Sequence, residues 1–187
     1  MIEPTSGFDK GNRTYMRGGK KYTTQTFTKK PDHEGGAHRE PRKQSEPAFC
    51  SVCGSVYADS RWTTRESAKS GKKHPHWRPG HETMCPACTQ IQNGIVGGYL
   101  TISGGFPKSH RAEIERLMSN EAERALEDNP LSRIMRTVEK GDELVVETTT
   151  EHLAQRLGHS LRRAYAGEVT YRFSHENKIA RVSWNRD

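Results

Sequence analysis

The chain has 187 residues, enough for one ordinary domain or two small ones, and only 31% of them are hydrophobic while 28% are charged. So low an apolar fraction leaves part of the chain unable to bury enough surface to offset the entropy of ordering. No apolar run approaches the roughly 18 residues of a membrane span, and the N-terminus, Met1-Ile-Glu-Pro-Thr-Ser-Gly7, lacks the basic-then-apolar layout of a signal peptide, so a cytoplasmic protein is expected.

The formal charge of +7 is unevenly placed. Residues 1–46 hold ten Lys/Arg against six Asp/Glu, residues 47–106 hold six against three, and residues 107–187 hold fourteen of each. A basic half beside a neutral half points to a polyanion, most often nucleic acid; the alternative is a solvated tail that only aids solubility.

In chain order, residues 1–46 are rich in Gly, Pro, Lys, Arg, Thr and His and show no period of 2 or 3.6, which predicts a basic arm that is disordered when free. Arg13, Arg17, Lys20, Lys21, Lys29 and Lys30 are its candidate phosphate contacts, with Tyr15, Tyr22 and Phe27 placed between them to stack on bases. Residues 47–106 carry all four cysteines and form the expected zinc ribbon, with short strands at Ser55-Val-Tyr57 and Tyr99-Leu-Thr-Ile-Ser103. Residues 67–80 read as a polar, basic loop in which Lys72, Lys73 and Arg78 are further candidate RNA contacts.

Residues 107–187 change character. Pro107 suits the opening of a helix, in which Ile114, Leu117, Met118, Ala122, Ala125 and Leu126 recur at helical spacing until Asn129-Pro130. Strand-like runs at 131–138 and 143–149 flank Lys140-Gly-Asp142, a hairpin signal. A second helix follows, with Thr148 and Glu151 placed for a capping box and Gly167 for a C-cap. Val169, Tyr171 and Phe173 then alternate with polar residues, as do Ala180, Val182 and Trp184. The order α-β-β-α-β-β predicts a two-layer α+β sandwich of two helices on a four-stranded sheet. It is the ferredoxin-like order with its first strand moved to the end.

Cys50-Ser-Val-Cys53-Gly and Cys85-Pro-Ala-Cys88 are two knuckles whose thiolates can turn onto one tetrahedral metal, and four such ligands make a closed, structural zinc site. The 31 residues between them (54–84) exceed the usual 15–20. Disulfides do not suit a cytosolic protein. A redox pair would want a thioredoxin-like βαβ around it, which is not visible, so iron or redox chemistry stands as the lesser alternative. His74, His76 and His81 lie in the intervening segment, where four cysteines leave no vacancy for them.

These knuckles, together with Gly97-Gly-Tyr-Leu-Thr-Ile-Ser-Gly-Gly105, His110-Arg-Ala-Glu-Ile114, Asn120-Glu-Ala-Glu123, Asn129-Pro-Leu-Ser-Arg-Ile-Met135 and Thr148-Thr-Thr-Glu-His-Leu-Ala154, resemble a family of small bacterial zinc-ribbon proteins. That family is in turn similar to the zinc-binding core of the archaeal and eukaryotic large-subunit export adaptor whose name derives from nonsense-mediated decay. The likeness spans about residues 48–186 and leaves out the arm. It implies a ribosome-facing role, the larger relatives binding the intersubunit face of the large subunit, and it carries over Cys50, Cys53, Cys85 and Cys88 as zinc ligands. The adaptor's further zinc knuckles and domains have no counterpart here, so nuclear export is not implied.

On the second helix, His152, Arg156, His159 and Arg163 fall within about 60° of one another at 100° per residue, well apart from the stripe of Leu153, Leu157, Leu161 and Ala164. Arg156 and Arg163 are therefore candidate RNA contacts on an outward row, the alternative being an ordinary solvated face. Gly158 inside this helix fits close packing on a strand. Tyr171 and Phe173 are either core residues or base-stacking aromatics, with core favoured. No phosphate-binding loop or nucleophile motif is present, so neither an enzyme nor a small-molecule substrate is expected. The leading expectation is a ribosome-associated, rRNA-binding zinc-ribbon protein that silences, assembles or surveys ribosomes; the alternative is a zinc-ribbon protein–protein adaptor in transcription or proteolysis.

Overall fold

The computed structural model describes residues 45–70, 80–173 and 179–187. The arm through residue 44, with Arg13, Arg17, Lys20, Lys21, Lys29 and Lys30, lies outside the described residues, as do Lys72, Lys73 and Arg78.

Two sheets organise the rest. The smaller is built from β1 (Ala48–Cys50), β2 (Val56–Ala58), β3 (Arg61–Thr63) and β4 (His81–Thr83), in the order β3-β2-β1-β4. β2 and β3 turn tightly at Asp59 and Ser60, both in the left-handed region at φ 51° and 60°. The Glu46 carboxylate accepts from both of their amides, at 3.0 and 2.7 Å, which holds a turn that otherwise favours Asn-Gly. In the spacer between the knuckles the strand expected at 55–57 is β2, and the start of the loop expected over 67–80 is instead the end of helix α1 (Arg65–Ser70). Helix α2 (Pro86–Asn93) then starts with proline in its first turn and ends at Gly94, left-handed at φ 65°.

The larger sheet contains β5 (Gly98–Ser103), β6 (Ile134–Lys140), β7 (Glu143–Thr148), β8 (Glu168–Phe173) and β9 (Ala180–Asn185), in the order β6-β7-β5-β9-β8. Short α3 (Gly105–Ser109) precedes the long helix α4 (Arg111–Asp128), and α5 (Glu151–Tyr165) follows β7. Leu100, Ile102, Leu144, Val146, Tyr171, Val182 and Trp184 from the sheet pack with Ile114, Met118, Ala125, Leu153, Leu157 and Leu161 from the two helices in one core. A Cβ on Gly158 would meet Val182 Cγ1 at 2.5 Å, so glycine is what lets α5 lie against β9.

The two-layer α+β class holds, but the four-stranded, permuted order needs correction. β5, grouped by its nearness to the cysteines with the ribbon, is the central strand of the larger sheet, so a first strand does precede α4. The C-terminal β9 then inserts between β5 and β8, parallel to β5. A local pattern announces a strand and says nothing of its partner.

Boundaries shifted for a related reason. Residues 131–133 are not strand: the Asn129 side chain accepts from the Leu131 amide at 3.0 Å and turns the chain before β6 begins. Of three consecutive threonines, Thr150 rather than Thr148 caps α5, accepting from the Leu153 amide at 3.2 Å. Thr148 instead donates to the Gly98 and Thr150 carbonyls. The C-cap of α5 is Ala166, one residue before the expected glycine, and the Ala166 carbonyl accepts from Trp184 Nε1 at 2.8 Å. No helix among the described residues is long and apolar enough to cross a membrane.

Candidate metal centre

β1 and β4 run parallel with Cys50 opposite Thr83, which sets the starts of the two knuckles side by side. The Ser51 amide donates to the Thr83 carbonyl at 3.0 Å and ties the two together. The first knuckle closes through Gly54 N donating to Cys50 O and Cys50 N to Ser55 O, both at 2.8 Å, with Gly54 at φ 74°. Cys85 is the N-cap of α2 and Cys88 lies in its first turn.

The four sulfur atoms lie within 4.8 Å of one another, three of the cysteines are buried and Cys53 is half-buried. Cys53 Sγ and Cys85 Sγ are 3.7 Å apart. A tetrahedron of thiolates about 2.3 Å from a metal has edges of about 3.8 Å, so the cluster has the size of a four-thiolate metal site. Its surroundings fit charge on sulfur. The Cys85 amide points at Cys50 Sγ (3.3 Å), the Cys88 amide at Cys85 Sγ (3.4 Å), and Ser55 Oγ lies 3.2 Å from Cys53 Sγ.

As free thiols the four could not ionise together. The hydrogen bond from Cys85 pulls Cys53 down to about 3, the same bond pushes Cys85 far up, and burial holds Cys88 at about 11. A dication shared by all four removes that conflict.

One cation reaches the cluster from the other half of the molecule. Arg133, on the turn between α4 and β6, donates through Nη1 to Cys88 Sγ (3.7 Å), through Nη2 to Ser55 Oγ (3.4 Å) and through Nε to the Pro130 carbonyl (2.9 Å). Leu131 on the same turn is only 2% exposed and packs with Trp62, Ala87 and the buried cysteines. Both lie within the stretch 129–135, and nothing in the local pattern gives either a role at the cysteines. His81 is exposed on β4 and outside the cysteine cluster; His74 and His76 lie outside the described residues.

The expected outward row on α5 is not what the helix presents. Arg156 is 20% exposed, with Nε 3.1 Å from Glu121 Oε2 and Nη1 2.7 Å from Asp128 Oδ2, both on α4. Arg163 is exposed at the rim of a cleft of about 380 Å³ between α4 and α5, which His152, Arg156 and His159 also line. Azimuth on one helix does not reveal that a second helix lies along that flank. Tyr171 is buried in the core with Phe173 packed beside it, so the aromatics expected either to pack or to stack on bases are packing residues.

No protein-family model matches this chain, and no curated protein or solved structure matches it either. The site itself defines the class: four clustered cysteines able to hold a metal, braced against an α+β domain of two helices on a five-stranded sheet.

Proposed function

We propose that this chain is a cytoplasmic RNA-binding protein with one structural zinc ion on Cys50, Cys53, Cys85 and Cys88, and that it acts on the ribosome, at the large subunit or intersubunit face, in silencing (hibernation), assembly or quality control. The observation that carries the RNA part is the charge distribution: the whole excess of +7 falls within residues 1–106, while the α+β segment from 107 onward is neutral. A closed shell of four protein thiolates supports a structural metal, since no coordination position is left for a substrate, and a tetrahedral all-sulfur set suits zinc. The ribosome as the particular RNA partner rests on the resemblance described above.

Metal analysis of the purified chain should give one zinc per molecule, with Cys88→Ser lowering both zinc content and melting temperature. Sedimentation of cell lysate through sucrose should place the protein with ribosomal particles at low salt and release it steeply at moderate salt, because each phosphate contact displaces a counterion. A protein that stays at the top of the gradient under both conditions would refute the ribosomal reading. A second reading, a protein adaptor, has its own support in an apolar cleft of about 550 Å³ lined by Met118, Ala122, Leu126 and Ile134 beside Cys53. Salt-insensitive co-sedimentation would favour it.

A further inference from the structure

Helices α4 and α5 contribute to the core from one face of the larger sheet, and alternation along the strands turns the residues between the core positions to the other face. Strand register places Arg136, Glu147, Tyr99, Arg181 and Arg172 directly opposite one another in a single row across all five strands of that second face. The row is not electrically neutral. Arg136 grips Glu147 with both ends of its guanidinium, at 2.6 and 3.2 Å, which consumes the acid of the row. Arg181 lies over the Tyr99 ring, 4.9 Å from its centroid. Arg172 and Arg181 are exposed, face each other on neighbouring strands, and form no ion pair among the described residues.

Like charges directly opposite on adjacent strands destabilise a sheet. Here two occur side by side, next to an aromatic ring and next to an acid already neutralised. A ligand with negative charge and flat faces would turn each of these features to use. Guanidinium forks match phosphate oxygens, and a tyrosine ring with a planar guanidinium over it is a stacking platform for an unpaired base. A duplex keeps its bases stacked on each other and has none to offer such a platform.

We propose that this row, centred on Tyr99, Arg181 and Arg172, is a docking strip for single-stranded RNA; the proposal rests on the RNA-binding reading above and gives it a site on the α+β domain. Tyr99 and Arg181 hold a base, and Arg172 and the free side of Arg181 hold the phosphates flanking it.

The test uses the full, zinc-loaded chain and a fluorescently labelled twelve-nucleotide oligouridine. Arg181→Glu should weaken binding about tenfold. Arg116→Glu, the same charge change at an exposed position on α4, should weaken it less than twofold. Arg172→Ala with Arg181→Ala should lower the slope of log affinity against log salt by about 1.4, two single-strand phosphate contacts at about 0.7 each. Tyr99→Ala should weaken binding about tenfold and Tyr99→Phe should restore most of it. Zinc content and melting temperature, read on each variant, identify any that fail to fold, and the arginine variants carry the test without altering the core. Wild-type binding that the Arg172 and Arg181 variants share, with the same salt slope, overturns the strip and leaves the RNA reading standing. Absence of binding by the wild-type chain to both oligouridine and ribosomes overturns the RNA reading and the strip with it. Equal loss in Arg181→Glu and Arg116→Glu shows that net charge alone is at work, and also overturns the strip.

Discussion

Arg133 is the side chain on which the two halves of the molecule meet. Its backbone amide donates to Thr149 Oγ1 at 2.8 Å, so its position is set by the α+β domain, while its guanidinium ends at Cys88 Sγ and Ser55 Oγ. Four thiolates around a dication carry a net charge of about −2, and burying that charge beside a fixed cation is cheaper than burying it alone. Groups that brace metal ligands from outside the coordination shell commonly change metal affinity by about 10–100-fold when removed. Arg133→Met, which keeps the bulk of the stem and removes the charge, should therefore lower zinc affinity by about tenfold or more in a chelator competition. An unchanged affinity would reduce Arg133 to a packing residue. The contrast in legibility at this scale is physical. Two cysteines with two residues between them are forced near each other by the covalent chain, so the four ligands could be read directly from spacing. Arg133 lies 45 residues from the nearest of the ligands it touches and arrives only through the fold.

Helices and strands were legible where a local pattern decides them and not where a neighbour does. Helices α4 and α5 and strands β8 and β9 follow the apolar periods closely, because each turns one face to the core, whereas β7 is buried on both faces from Leu144 to Thr148 and reads as a strand without alternating. Placing β5 needed knowledge of its partners β7 and β9, and the fate of Arg156 needed the presence of α4. The pair that joins those helices makes a prediction of its own. Glu121 is nearly buried, with side-chain exposure of 8%; burial opposes its ionisation, but hydrogen bonds and charge from Arg156, with Arg124, outweigh that and hold its carboxyl below the ordinary value of 4.5. A carboxyl held low in the folded state stabilises the fold above its unfolded pKa, and that contribution disappears as pH falls through the folded value. The stability difference between wild type and Glu121→Gln should be largest near neutral pH, about 1–3 kcal/mol, and should shrink steadily below about pH 4.5. Denaturant titrations at pH 7, 5 and 3 measure it, and a difference that does not change with pH would mean that the pair contributes through packing and not through charge. The exposed Arg124–Glu121 contact adds little to this, since ion pairs reaching into solvent are worth about 0–1 kcal/mol.

Across the whole molecule, the smaller sheet cannot stand by itself. Its four strands are three residues long, and the buried apolar residues of its own are chiefly Ala48, Val56, Ala58, Trp62 and Ala68. So small a core should fold only with a metal on the four cysteines. The larger sheet has a separate core around Leu100, Val146, Leu157 and Trp184 and should survive metal removal. The two are nevertheless not independent, because Leu131 belongs to the α4–β6 connection and is buried among the cysteines. Stripping the metal should collapse the ribbon and uncover Leu131, a loss of about 1.5–3 kcal/mol for a leucine returned to water. For a domain of under 100 residues that corresponds to a fall in melting temperature on the order of 10 °C. The tryptophans report the two halves separately: Trp62 packs against the cysteine cluster and Trp184 is fully buried in the larger core. With Trp62→Phe and Trp77→Phe, Trp184 remains as the single indole of the chain. Its fluorescence should report one cooperative transition for the metal-loaded protein and a transition of the still-folded α+β domain about 10 °C lower after chelation. In the parent chain, Trp62 should already be in water at room temperature once the metal is gone. A Trp184 transition that stays at the same temperature with and without metal would show that the ribbon merely abuts the α+β domain, and that the turn carrying Leu131 and Arg133 does not transmit the metal's stabilisation across the molecule.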